Sequence, residues 1–152
     1  MDNPIVQYLK AYIGKPLSES PSHVTRWLNG TILSVEEGDI TIEYIVRDEM
    51  LNPALTLHGG VASLIMDDII GLAVFSTHNE FFYTSINLAI DFLKTAKLDE
   101  HILARSTVVR KGTNIINVKC TITNRDGMIL ARGMSNLITT RNRNPYYSNN
   151  NQ

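Results

Sequence analysis

The sequence predicts an α+β domain in which an antiparallel sheet of about six strands wraps one central buried helix. Three observations carry this expectation. Residues 60–76 form one long apolar run whose length and composition favour a helix over a strand. Two β-rich runs precede it and four follow. Turn-forming clusters separate the later runs where antiparallel pairing needs them. A greasy helix and one sheet face both need covering, and wrapping one in the other covers both.

Residues 4–12 come first. Pro4, Ile5, Val6, Tyr8, Leu9 and Tyr12 have helical spacing, with Asn3 as N-cap, Pro4 in the first turn and Gly14 as the stop. Leu28 to Val35 and Ile40 to Val46 then read as strands joined by the hairpin Glu36-Glu37-Gly38-Asp39. In the second of them Ile40, Ile42, Tyr44 and Val46 alternate with Thr41, Glu43 and Ile45, and only Ile45 breaks a half-buried pattern. A loop from Asp48 to Leu57 leads into the long helix, which is apolar on nearly every face and so belongs at the centre of the fold. The remaining strands are Phe82 to Leu93, Ile102 to Val109, Ile115 to Thr123 and Met128 to Thr139. Lys111-Gly112-Thr113-Asn114 and Asn124-Arg125-Asp126-Gly127 supply turns between them.

Composition narrows the function classes. The 152 residues suit one domain, expected to divide as a lead-in over 1–24, a folded body over 25–140 and a poorly ordered Asn- and Arg-rich tail over 141–152. Fourteen basic against fifteen acidic residues leave a net charge of -1, without the footprint of a general nucleic-acid binder. Cys120 is the sole cysteine, so no intrachain disulfide can form. The first residues do not read as a secretory signal, and the greasiest stretch, Val61 to Phe75, carries Asp67 and Asp68 and is shorter than the roughly 20 residues that span a bilayer. A cytoplasmic protein with no membrane partner is expected. His23, His58, His78 and His101 lack ligand-like spacing, so no metal is implied.

Chemistry concentrates between Asn52 and Asp68. Gly59-Gly60 at the mouth of the helix bares backbone N–H groups at the positive end of the helix dipole, where an oxyanion would be stabilised. A tight turn into a helix asks for the same small residues. Asp67 stands two turns into an apolar helix, where an unpaired carboxylate is costly. It either shares a solvated face with Asp68 or lines a cleft as general base or nucleophile, and the cleft is the preferred reading for Asp67, the solvated face for Asp68. Asp67 lies eight positions beyond Gly59, about 12 Å along the helix at 1.5 Å per residue. No single carbonyl touches both. If both act on one carbonyl they come from two copies of the chain, and antiparallel helices on a two-fold axis would build that site twice.

Asn52, then His58-Gly59-Gly60, then Leu64 and Asp67, with Ser85 in a following strand, resembles the acyl-CoA thioesterases of the phenylacetate-pathway type, within the 4-hydroxybenzoyl-CoA thioesterase superfamily of hotdog folds. The resemblance spans about residues 25–140. It implies a hotdog fold and hydrolysis of an acyl-CoA by a homodimer or homotetramer, with coenzyme A part of the substrate and no separate cofactor. It implies that Asp67 activates water or attacks the thioester, that the Gly59 N–H holds the oxyanion, that His58 shapes that region, and that Asn52 positions the water or carbonyl. Ser85 matches a hydroxyl that assists the water, with Thr84 as its possible substitute. Gly60, Thr84, Arg110, Lys111 and Gly112 fall where coenzyme A or the rest of the substrate would be held, and Arg141 and Arg143 are further candidates by charge alone. Two other readings stand beside hydrolysis. One is a module that binds acyl-CoA without turnover, to which the costly Asp67 would add little. The other is a dehydratase or hydratase, whose Asp/His or Glu/His arrangement is not evident.

Overall fold

The structure, a computed structural model, describes residues 3–147. Helix α1 (Pro4–Lys10) starts as expected: Asn3 Oδ1 accepts from the Ile5 and Val6 amides, and Ile5, Val6 and Leu9 are buried. The Asn3 amide also donates to Ser76 O at 2.7 Å, tying the start of α1 to the far end of the central helix. A second short helix, α2 (His23–Leu28), was not expected. Ser22 caps it, and Asn29 ends it in the left-handed region at φ 51°. The first strand therefore starts at Thr31 rather than Leu28. Gly30 makes the transition, where a Cβ would stand 2.5 Å from Ile42 Cγ2.

Strands β1 (Thr31–Glu36) and β2 (Asp39–Ile45) form the expected hairpin, with Gly38 at φ 73° in its turn. Ile40, Ile42 and Tyr44 are buried, whereas Ile45 points outward. The central helix α3 runs Gly59–Phe75, followed by β3 (Phe81–Phe92), β4 (His101–Lys111), β5 (Ile115–Asn124) and β6 (Ile129–Arg143). The six strands form one antiparallel sheet in the order β1-β2-β4-β5-β6-β3, which wraps α3 in the expected hotdog arrangement.

Two features bear on function. Although α3 buries Ala62, Ile65, Met66, Ile69, Ile70, Ala73 and Val74, a line of Gly60, Asp67 and Gly71 remains exposed, so the helix is not enclosed all round. After α3 the chain crosses to the far edge of the sheet, where among the described residues β3 pairs only with β6. An irregularity between Ser85 and Asn87 turns Ile86 outward and leaves Leu88 and Ile90 against the core.

The body also extends past residue 140. Strand β6 reaches Arg143, and buried Asn144 donates from its backbone to Glu80 O at 2.8 Å and from its side chain to Asn79 O at 3.0 Å. The rest of the expected flexible tail, from residue 148 on, lies outside the described residues.

Candidate active site

His58 is the N-cap of α3. Its Nδ1 accepts from the Gly60 amide at 2.8 Å, which places the imidazole proton on Nε2 while the ring is neutral. The Gly60 N–H is thereby spent. The Gly59 N–H makes no hydrogen bond among the described residues, so it is the amide that this helix start offers to an oxyanion. Two straps fix it in place: the His58 N–H donates to Met50 O at 2.9 Å and the Leu57 N–H to Ala96 O at 2.8 Å.

Asn52 organises the preceding loop. Its Oδ1 accepts from the Ala54 amide, the Thr56 amide and the Thr56 hydroxyl, and its Nδ2 donates to Thr56 Oγ1 at 3.0 Å. What remains for a substrate is an N–H of the side-chain amide. Asn52 and Gly59 wall one cavity of about 200 Å³, which Phe92 and Lys94 also line. Neither of these stands out in the sequence. Lys94 follows directly on an apolar strand, and the crossing of β3 to the sheet edge is what carries it to the helix start.

Asp67 lies elsewhere, exposed on α3, with its Oδ1 accepting from Ser85 Oγ at 2.9 Å. Its Oδ2 makes no hydrogen bond among the described residues. Asp67 and Ser85 are thus brought together within one chain, whereas Asp67 takes no part in the cavity at Gly59. Thr84 does not substitute for Ser85. It pairs with half-exposed Ile138 on the outer face of the sheet, while Ser85 pairs with buried Leu137 on the face toward α3.

Asp68 departs from its expected place on a solvated face. Its Oδ1 accepts from the Thr25 hydroxyl at 2.8 Å, and its Oδ2 is buried without a partner, as is the Tyr44 hydroxyl. Burial pushes the Asp68 carboxyl above its ordinary range, only partly offset by the Thr25 hydrogen bond, with the Asp67 charge adding to the rise. An acid raised on folding stabilises the fold below its unfolded value and loses that contribution as pH rises through the folded value. Asp68 therefore works against folding at neutral pH. Asp68→Asn is expected to raise the melting temperature at pH 7 by a few degrees, on the order of 2–4 °C. The gain should shrink as pH falls toward 4. Thermal melts across that range check this, and a gain unchanged with pH would contradict it.

The basic candidates separate. Arg110 is exposed on the outer side, opposite Asn117. Lys111 turns inward and donates to Thr77 O at 2.9 Å, beyond the C-terminal end of α3, and burial lowers its ammonium pKa. Within one chain that end of α3 stands roughly 24 Å from the helix start, given 16 rises of about 1.5 Å between its 17 residues. Gly112 closes the β4–β5 turn, its N–H donating to Ile115 O, and a Cβ there would lie 2.9 Å from that oxygen. Arg143 is paired with Glu80 at 2.7 Å, and Arg141 is exposed. Cys120 is buried, which pushes its thiol up to about 12 and leaves it a core residue rather than a nucleophile. Among the described residues no His, Cys, Asp or Glu side chains cluster to hold a metal ion, and no helix is long and apolar enough to cross a membrane.

Comparison with known proteins gives this geometry a setting. The model of the thioesterase superfamily matches residues 56–131, which include the helix start, Asp67 and Ser85. The chain is 29% identical over 104 residues to human acyl-coenzyme A thioesterase 13, covering 68% of this chain and 74% of that protein. A Streptococcus mutans protein solved bound to acetyl CoA is 28% identical, with TM-score 0.71, covering 76% of this chain and 92% of the other. The PaaI protein of the Escherichia coli phenylacetic acid degradation operon superposes with TM-score 0.80 over 93% of this chain and 97% of its own, at 18% identity. That last likeness concerns the fold.

Proposed function

From the premise that the chain belongs to the thioesterase superfamily, we propose that it hydrolyses an acyl-CoA thioester at a site built by two subunits. The observation that carries this is the separation within one chain: a free Gly59 amide over one cavity, and a Ser85-oriented Asp67 about 12 Å further along α3. A two-fold axis near the middle of that interval brings the Gly59 of one subunit to the Asp67 of the other. The edge strand β3 supports such pairing. It presents an unpaired row of backbone groups, and Phe82, Ile86 and Phe92 along it are 40%, 54% and 56% exposed. The names of similar proteins, which include an acyl-coenzyme A thioesterase and a protein bound to acetyl CoA, support the substrate class.

In this reading the Gly59 N–H and the helix dipole take up the negative charge that develops on the thioester oxygen. Ser85 holds Asp67 Oδ1, which leaves Oδ2 to act. It either removes a proton from water as the water adds to the carbonyl carbon, or adds itself to give an anhydride that water opens. The thiolate of coenzyme A leaves in both cases.

Release of free thiol from a panel of acyl-CoAs tests the function. Turnover of at least one is expected, and CoA binding with no thiol release from any would leave only a binding module. Ser85→Ala removes an orienting hydrogen bond and is expected to lower kcat by roughly tenfold, about 1.4 kcal/mol. Undiminished turnover would take Ser85 out of the site.

A further inference from the structure

A larger cavity, of about 320 Å³, lies apart from Gly59, between the N-terminal helices and the C-terminal half of α3. Leu9, Tyr12, Leu72, Phe75, Phe82 and Tyr146 supply much of its apolar wall. Of the thirteen residues around it, only Leu72, Phe75 and Phe82 fall inside the span 56–131 shared with the superfamily. The rest come from the chain up to Ile32 and, in Tyr146, from the segment after β6, so most of the wall lies outside that span.

The cavity is joined to Asp67 along one seam. Asp67, Gly71 and Phe75 follow at i, i+4 and i+8, one row on α3. A Cβ built on Gly71 would have nothing within 4 Å, so the row is open at its midpoint. Beside it a small cavity of about 50 Å³ is walled by Gly71, Phe75, Phe82 and Tyr83, and Phe75 and Phe82 also wall the large one. Those two rings therefore stand between the seam and the large cavity. From β3 the path is equally short, because Phe82 precedes by three residues the Ser85 that bonds Asp67.

The geometry points to this cavity as the receptor for the distal part of a long aliphatic acyl chain, a conclusion that rests on the thioesterase reading above. Asp67 marks the position of the thioester carbon, and Phe75 lies about 12 Å further along the helix. Acetyl and arylacetyl groups end short of the rings, and only an extended chain passes them. The volume is at the lower end of the roughly 300–1,000 Å³ typical of ligand sites, which fits a slender alkyl chain. Beyond the rings each added methylene is expected to raise kcat/KM by up to about fourfold until the cavity is full. The N-terminal helices thus set chain-length preference while taking no part in the chemistry.

The test compares butyryl-, decanoyl- and myristoyl-CoA on the intact protein and on Leu72→Trp, which fills the cavity from α3. The ratio of myristoyl to butyryl kcat/KM is expected to fall at least tenfold in the variant. Tyr12→Ala, which widens the cavity from the turn after α1 without touching α3, should move the preference toward longer chains. Binding of cis-parinaric acid, a fluorescent fatty acid, gives a readout independent of turnover. Intact protein and Asp67→Asn should bind it alike, and Leu72→Trp at least tenfold more weakly. Loss of all thiol release with parinaric acid binding still sensitive to Leu72→Trp would sink hydrolysis while keeping the cavity as an apolar ligand site. Hydrolysis whose chain-length ratio ignores both substitutions would overturn the acyl-chain assignment and leave hydrolysis standing.

Discussion

Asp67→Asn is expected to lower kcat for acyl-CoA hydrolysis by about two decades or more, roughly 3 kcal/mol of transition-state stabilisation. The substitution is a clean one because of where Asp67 sits. The side chain is exposed on α3, so no core packing is lost, and the amide oxygen of Asn can still accept from Ser85 at the present 2.9 Å position. What disappears is the negative charge on the atom left free to act. KM should change far less than kcat if the carboxylate acts on the reacting carbon rather than on the coenzyme A arm. Asp67→Ala should lose as much, since neither variant offers a base or a nucleophile. Single-turnover thiol release measures the effect directly, and wild-type rates in both variants would remove Asp67 from the mechanism.

The fold was legible because burial writes itself into period. The alternation of Ile40, Ile42 and Tyr44 is the inner face of β2, and the greasy run of α3 is the helix that the sheet encloses. Turn chemistry is equally local, which is why the hairpin around Gly38 and the β4–β5 turn at Gly112 fell where expected. Helix α2 left little trace, since six residues give under two turns and Leu28 reads as well with the strand that follows. Nothing local says that β3 crosses to the far edge of the sheet. That crossing brings Phe92 and Lys94 to the helix start and Ser85 to Asp67.

Within the site, residue type was easier to read than direction. His58-Gly59-Gly60 announced a helix start with bare amides, but only the side-chain geometry shows that His58 consumes the Gly60 N–H and leaves that of Gly59. Asp67 and Asp68 are neighbours of one chemical type, and about 100° of helical turn between consecutive residues gives them opposite fates, one facing the open seam and the other held against Thr25. Thr84 and Ser85 divide in the same way across the pleat of β3. Lys111 carried the right charge for a phosphate, yet a bulge in β4 between Val108 and Arg110 turns it inward to the end of α3.

Gly59→Pro provides the second large effect and, with Asp67→Ala, a direct measure of whether the site is shared. Proline removes the Gly59 N–H alone, since Gly59 is the first residue of α3, where proline is well tolerated. His58 at φ -65° and ψ 132° already has the extended conformation that a following proline demands. Loss of that single oxyanion donor is expected to lower kcat by about 10²–10³. Each variant alone is then nearly inactive. In a heterodimer of the two, the site that draws Gly59 from the Asp67→Ala subunit and Asp67 from the Gly59→Pro subunit is intact, while the other site is damaged twice. Refolding equal amounts together gives about half heterodimers with one working site each, so about a quarter of the wild-type rate should return. Sites contained within single chains have no route to that recovery. Mixed dimers that are verified by mass and stay as inactive as their parents would dispose of the two-subunit site.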